Sequence, residues 1–172
     1  MAMRSRLRSP WILHFDTGSC NGCDLEIFAC LTPRYDIERF GAVNKGNPKH
    51  ADILLITGPV TKKIKPRLLQ LYSQIAGPKL VVAVGDCAST GSPFTYGYNV
   101  EGGVDKVIPV DVYVPGCAVR PEAVMDGLLL ALGKWERLME DPHVKIGSDR
   151  PGGTARKVGD SRKGLPEEEE EE

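Results

Sequence analysis

Short apolar runs that alternate with helix-spaced stretches constrain the fold of this chain more than any other feature. The runs cover residues 11–16, 52–57, 80–84 and 107–114. Between the second and third runs, apolar side chains recur at spacings of four, three and four, namely Ile64, Leu68, Leu71 and Ile75. That spacing predicts a helix over 63–76 with one buried stripe. Strands alternating with helices form a parallel sheet covered on both faces, so we predict an α/β domain.

The flanking segments extend this pattern. Residues 23–31 have a helical composition, and Pro121 is placed to begin a last helix, where its missing N–H costs nothing. The core-facing stripe of that helix is predicted to be Val124, Leu128, Ala131, Leu132 and Trp135. Residues 88–105 are rich in Gly, Ser, Pro and Tyr, which predicts a long loop that is functional or faces a partner.

The chain divides into three parts by composition. Residues 1–10 form an arm made basic by Arg4, Arg6 and Arg8, and residues 11–140 form the single folded domain. Residues 141–172 have little to bury and end in six glutamates, which predicts a flexible acidic tail. With 172 residues, the chain is long enough to bury a core without disulfide staples.

Charge and hydropathy exclude several classes of protein. Six of the 23 acidic residues lie in the terminal glutamate run, so the remainder carries a net charge of about +5, too little for a nucleic-acid binder. The longest apolar stretches, 80–84 and 128–132, are far shorter than the roughly 20 residues that cross a bilayer. No export signal is predicted, and five scattered cysteines favour a reducing compartment.

Four cysteines follow predicted strands. Cys20 and Cys23 form a C-x-x-C pair after the first run, and Cys87 and Cys117 follow the later ones. The carboxyl ends of parallel strands meet at one edge of a sheet, so the four thiols are expected to gather there. Two interpretations compete, a structural zinc and an iron–sulfur cluster. The single cysteines, 64 and 30 residues further on, are unlike the paired knuckles of zinc ribbons and favour the cluster.

The fifth cysteine has a different setting. Cys30 lies seven residues after Cys23 within the predicted helix, too far from the loop to share its site. A buried free cysteine commonly acts as a small hydrophobic residue. We therefore predict a structural role for Cys30.

Five motifs together resemble a known family. They are Gly18-Ser-Cys-Asn-Gly-Cys-Asp-Leu-Glu26, Arg34-Tyr-Asp-Ile-Glu-Arg-Phe-Gly41, Ala51-Asp-Ile-Leu-Leu-Ile-Thr-Gly-Pro-Val60, Ala83-Val-Gly-Asp-Cys87, and Val114-Pro-Gly-Cys117 followed by Arg120-Pro-Glu122. In this order they resemble the small, cluster-bearing subunit shared by membrane-bound energy-converting nickel–iron hydrogenases and respiratory complex I. The resemblance covers about residues 9–138.

The resemblance implies a flavodoxin-like domain with one 4Fe-4S cluster bound by Cys20, Cys23, Cys87 and Cys117. Complex I subunits have adjacent cysteines at the first position, whereas Cys20 and Cys23 are separated by two residues, as in hydrogenase small subunits. That spacing favours a hydrogenase over a quinone reductase.

The expected function is electron transfer beside the nickel–iron centre of a separate large subunit, in a ferredoxin-linked complex coupled to ion translocation. Further expected partners are a ferredoxin-like multi-cluster subunit and membrane-anchor subunits, with this chain peripheral on the cytoplasmic side of the membrane. The alternatives are the equivalent subunit of a sulfur- or quinone-reducing complex and, in another class, a zinc- or flavin-binding α/β module.

Three side-chain hypotheses remain. Glu26, three residues after Cys23, is either a member of a proton path or a first-turn acid that favours the helix dipole. Asp86 is expected to brace the turn of Cys87, and His14 to pack in the core. Residues 57–61 weakly resemble a flavodoxin phosphate loop, although Pro59 removes one N–H from that cradle.

Overall fold

A five-stranded parallel sheet organises the domain. The computed structural model describes residue 6 and residues 8–140 of the chain. The strands are β1 (Trp11–Asp16), β2 (Val43–Asn44), β3 (Ile53–Thr57), β4 (Val60–Thr61), β5 (Leu80–Val84), β6 (Val100–Gly102) and β7 (Val112–Val114). The helices are α1 (Gly22–Cys30), α2 (Lys65–Gln74), α3 (Asp86–Thr90) and α4 (Pro121–Glu140), with 3-10 turns at Ile37–Phe40, Pro48–His50 and Val104–Lys106.

The strand order confirms the predicted fold class. The main sheet runs β2-β1-β3-β5-β7 with every pair parallel, which is the flavodoxin-like order. Strands β3 and β5 are buried throughout, as expected of central strands covered on both faces. The predicted tail, 141–172, lies outside the described residues.

Two apolar cores lie on opposite faces of the sheet. On one face, Ile27 of α1 and Leu128 of α4 pack with Leu55 and Val82. On the other, Leu68 of α2 packs with Leu54 and Ile56. Four members of the predicted α4 stripe are buried, and Leu132 packs against them partly buried. The spacing of the apolar residues therefore correctly predicted the buried faces of α2 and α4.

The last predicted strand is shorter than expected. Within 107–114 only Val112–Val114 pairs with β5, because a 3-10 turn ends at Lys106 and Pro109 interrupts the run. The loop predicted over 88–105 also contains β6, which pairs antiparallel with β4 in a small second sheet. Tyr96 and Tyr98 in that segment are strongly exposed.

The described part of the basic arm contacts the domain. Arg6 forms an ion pair with Asp52 and lies over the ring of Trp135, 5.5 Å from its centroid. Within the described residues, none of the helices combines the length and the hydropathy needed to cross a membrane.

Candidate functional site

The strand register brings the loops that carry the cysteines to one edge. Asp16 at the end of β1 is opposite Thr57, Thr57 is opposite Val84, and Val84 is opposite Val114. These four strands therefore end level with one another. The chain leaves β1, β5 and β7 at the same edge, and the segment that follows each of these strands carries at least one of the predicted ligands.

All four predicted thiols line one cavity at this edge. The cavity is lined by Ser19, Cys20, Cys23, Gly58, Asp86, Cys87, Gly116, Cys117 and Ala118. Cys23 and Cys87 are half-buried, whereas Cys20 and Cys117 are exposed at the surface. The structure thus brings together the four cysteines that the sequence singled out.

Burial and neighbouring charges oppose the ionisation of two of the four thiols, those of Cys23 and Cys87. Burial raises the pKa of Cys23 most, and repulsion from Asp24, Cys20 and Cys117 raises it further. A hydrogen bond from the Val119 backbone lowers it by less than burial raises it. The pKa of Cys87 is also raised by burial, followed by repulsion from Cys117, Cys23 and Cys20. Thiolates are the metal-binding form, so binding of a cationic centre would remove this repulsion and release protons.

Glycine is required where the loops approach the thiols. Gly85, between β5 and Cys87, has φ +92°, and an added Cβ would lie 2.7 Å from the Cys23 sulfur. Gly58, after β3, has φ +78°, and its Cβ would lie 2.4 Å from the Ser19 backbone nitrogen. Side chains at these positions would be strained and would fill the space beside the cysteines.

Asp86 connects two of the cysteine loops. Its carboxylate accepts a 2.9 Å hydrogen bond from the Gly116 N–H, and its own N–H donates to the Gly116 carbonyl at 3.0 Å. The Asp86 carboxylate was expected to brace the turn of Cys87, but it instead holds the segment that precedes Cys117.

A buried polar cluster beside the cavity was missed from sequence. Asp24, which directly follows Cys23, is 5% exposed and accepts hydrogen bonds from the hydroxyls of Ser19 and Thr57. His14 Nε2 lies 2.7 Å from Asp24 Oδ1, so His14 does more than pack in the core. Burial alone would raise the pKa of Asp24, but these hydrogen bonds and His14 outweigh it and lower the pKa.

Cys30 lies elsewhere, in the apolar core between α1 and α4. It is 1% exposed, and its thiol donates to the carbonyls of Glu26 at 3.2 Å and Pro121 at 3.4 Å. Burial, with Glu26 adding repulsion, raises the pKa of Cys30 to about 11. Glu26 itself is half-buried on α1.

The segment that resembled a phosphate loop is held by other parts of the chain. The carbonyls of Thr57 and Gly58 accept 2.8 Å hydrogen bonds from the Thr17 hydroxyl. The Thr57 hydroxyl is directed to Asp24 at 2.5 Å. The Thr57 hydroxyl, a donor that a phosphate loop would offer to its ligand, therefore already donates to Asp24.

The donor set fits a soft-metal cluster. Four cysteines supply the thiolate ligands that iron–sulfur clusters and zinc both use. In the described part of the chain, no three or more His, Cys, Asp or Glu side chains are arranged to hold one metal ion. The four thiols line a common cavity, and the absence of a side chain at Gly85 leaves the Cys23 sulfur in place, since an added Cβ there would lie 2.7 Å from it.

Comparison with known proteins identifies the family. The model of the family described as "NADH ubiquinone oxidoreductase, 20 Kd subunit" matches residues 20–131. The chain belongs to this family. The resemblance seen in the five motifs is thereby confirmed, and the relatives in this family are subunits of oxidoreductase complexes.

Individual relatives of this 20 kDa subunit family span hydrogen and sulfur chemistry. The chain is 52% identical over 133 residues to "Probable membrane-bound hydrogenase subunit mbhJ" of Pyrococcus furiosus, covering 77% of this chain and 80% of that protein. It is 45% identical over 130 residues to "Formate hydrogenlyase subunit 7" of Escherichia coli, covering 76% of this chain and 51% of that one. A chain of an archaeal membrane-bound sulfane sulfur reductase superposes with a TM-score of 0.70 at 40% identity, covering 79% of this chain and 75% of that one.

Proposed function

We propose that this chain is an electron-transfer subunit that holds one 4Fe-4S cluster through Cys20, Cys23, Cys87 and Cys117. The observation that carries the proposal is that these four thiols, from the segments that follow three separate strands, line one cavity. Such a cluster, when bound, accepts and returns one electron at a time. The proposed setting is a ferredoxin-linked, membrane-bound hydrogenase complex coupled to ion translocation, with the site beside the nickel–iron centre of a large subunit.

The environment of the thiols supports this role. Cys23 and Cys87 are half-buried, which limits the access of water to that side of the site. Cys20 and Cys117 are exposed, so this side is open to a partner protein. On α1, which begins at the C-x-x-C loop, Leu25 is 67% exposed and Phe28 is 51% exposed. Large exposed apolar side chains beside an open site fit docking of the large subunit.

The other proposed partners are a ferredoxin-like multi-cluster subunit and membrane-anchor subunits. The chain would be a peripheral member of the complex on the cytoplasmic side of the membrane. The support is the likeness to a probable membrane-bound hydrogenase subunit and to a chain of a respiratory membrane complex. Copurification of the tagged chain from detergent-solubilised membranes tests it, since recovery only as a free chain would contradict it.

Glu26 is proposed to take part in proton transfer toward the large subunit. It is half-buried on α1, next to the exposed Leu25. In the assembled complex, Glu26→Gln is expected to slow proton-dependent turnover and leave the electron paramagnetic resonance (EPR) signal of the cluster unchanged. Turnover at the parent rate would contradict proton transfer by Glu26 and favour its alternative role as an acid that stabilises the first turns of the helix.

Metal analysis of the full chain tests the cluster directly. Purified without oxygen, the chain is expected to contain about four iron and four sulfide per chain and, after reduction, to give the EPR signal of one cluster. Stoichiometric zinc without iron, or a bound flavin without iron, would contradict electron transfer by this chain and favour the zinc- or flavin-binding module.

The equivalent subunit of a sulfur- or quinone-reducing complex is the second candidate. The match to a chain of a sulfane sulfur reductase complex and the description of the family both favour it. The sequence of the large subunit encoded with this chain separates the candidates. Two C-x-x-C pairs there would support hydrogen chemistry, because a nickel–iron centre uses both, and loss of one pair would rule it out.

A further inference from the structure

Asp24 differs from the other acids near the cysteine loops because its carboxylate is buried. Three polar side chains from different parts of the fold converge on it. They are His14 of β1, Thr57 at the end of β3, and Ser19 of the loop that carries Cys20. A buried carboxylate is costly unless it is hydrogen-bonded, so the fold maintains this charge with dedicated partners.

The contacts of Asp24 reach the cysteine loop from both ends. Asp24 directly follows Cys23, and its partner Ser19 directly precedes Cys20. The Ser19 hydroxyl also accepts a 3.1 Å hydrogen bond from the Asn21 N–H, within the turn between the two cysteines. The carboxylate thus connects the C-x-x-C loop to β3 through the 2.5 Å bond from Thr57.

We propose that Asp24 is a positioning residue that fixes the C-x-x-C loop and, as a buried negative charge beside it, lowers the reduction potential of the cluster held there. The inference rests on the proposed function. One-electron reduction makes the cluster more negative without breaking a bond, and a nearby fixed negative charge disfavours that change. Because Asp24 is shielded from water, its charge is screened less than that of a surface acid.

The chain contains a matched control in Asp16. This residue is also acidic and holds the same loop, since its carboxylate accepts hydrogen bonds from the N–H groups of Gly18 at 2.7 Å and Ser19 at 2.6 Å. Asp16 is exposed, so water screens its charge. Replacing each acid by its neutral isostere compares two equal changes in charge, one buried and one exposed.

The test is an EPR-monitored redox titration of the full chain at pH 8, with dithionite as reductant and redox mediators. Asp24→Asn is expected to raise the midpoint potential, and Asp16→Asn to shift it by a smaller amount. Thr57→Val removes a hydrogen bond from the carboxylate but retains its charge, so it is expected to lower the potential. These opposite directions would not arise from a purely structural role.

The outcomes separate this inference from the proposed function. Asp24→Asn with a full cluster and a shift no larger than that of Asp16→Asn would overturn the inference alone. If Asp24→Asn fails to retain iron, Thr57→Val decides, because an unchanged or higher potential would overturn it. A parent chain without iron would overturn both the proposed function and the inference.

Discussion

The amino and carboxyl ends of the parallel strands form two edges of the sheet that differ in how their ionisable side chains are compensated. At the amino edge, the Asp52 carboxylate pairs with Arg6 and accepts a 3.0 Å hydrogen bond from the Trp11 N–H. Asp111 similarly pairs with Lys134 at 2.8 Å and accepts from the Val81 N–H at 3.0 Å. At the carboxyl edge, four thiols share one cavity, and the groups that act on them include further acids, Asp24 and Asp86.

This difference separates a structural edge from a binding edge. Buried acids that each have a cation and a strand N–H anchor the starts of the strands without needing any other group. Thiols that repel one another on ionisation become favourable ligands only when a cationic centre joins them. The same sheet thus holds itself together at one edge and is suited to bind a cluster at the other.

The largest expected effect comes from a side chain at Gly85 that displaces the Cys23 sulfur. Gly85→Ala places a Cβ 2.7 Å from the Cys23 sulfur and at φ +92°, so most of the bound iron is expected to be lost. Gly46→Ala is the control, because nothing lies within 4 Å of its added Cβ. Iron content and EPR intensity measure the effect, and full iron content in Gly85→Ala would contradict a cluster bound by the Cys23 sulfur at its present position.

A smaller effect is expected at the amino edge. Lys134→Met leaves the Asp111 carboxylate, 3% exposed, without its cation and is expected to cost about 2 kcal/mol of unfolding free energy. Cluster content should stay at the parent level, because the change lies at the other edge of the sheet. Arg137→Met on the exposed side of the same helix controls for loss of charge. Urea unfolding measures the stability, and iron analysis measures the cluster content. Loss of iron in Lys134→Met would contradict the independence of the two edges.

The smallest effect concerns Cys30 and pH. Burial raises its pKa from 9.0 to about 11, so between these values the unfolded chain loses the thiol proton while the folded chain keeps it. Stability from this group is therefore complete below pH 9 and falls as pH rises toward 11. The unfolding free energy of the parent chain, measured relative to that of Cys30→Ala, should therefore fall by about 1 kcal/mol between pH 8 and pH 10. Urea unfolding of the two reduced chains measures this difference. The same pH dependence of the unfolding free energy in both chains would contradict the raised pKa.

Local patterns predicted the parts of the fold that depend on periodicity. The buried runs became β1, β3 and β5, and the spacing from Ile64 to Ile75 located α2. The cysteines gathered as predicted because level strand ends are a property of a parallel sheet. The two-residue strands β2 and β4 were missed, since two residues are too short to show an alternation.

Contacts between distant residues could not be predicted. Arg6 was expected in an arm, but its ion pair with Asp52 joins residues 46 positions apart. Asp24 stood inside a recognised motif and next to a predicted ligand, yet its burial depends on Thr57, 33 positions away. One signal in the sequence did point to this polar cluster. An acid directly beside an expected anionic cluster is unfavourable unless other side chains hydrogen-bond to it.

The central claim is that four cysteines form one cluster site and the fifth does not. Iron, sulfide and EPR measurements on Cys117→Ser beside Cys30→Ser, each in the full chain, test it most directly. The account predicts a full cluster signal in Cys30→Ser and a lost or converted one in Cys117→Ser, which removes an exposed thiol from the cavity. Loss of the cluster in Cys30→Ser, or a parent-like signal in Cys117→Ser, would contradict it.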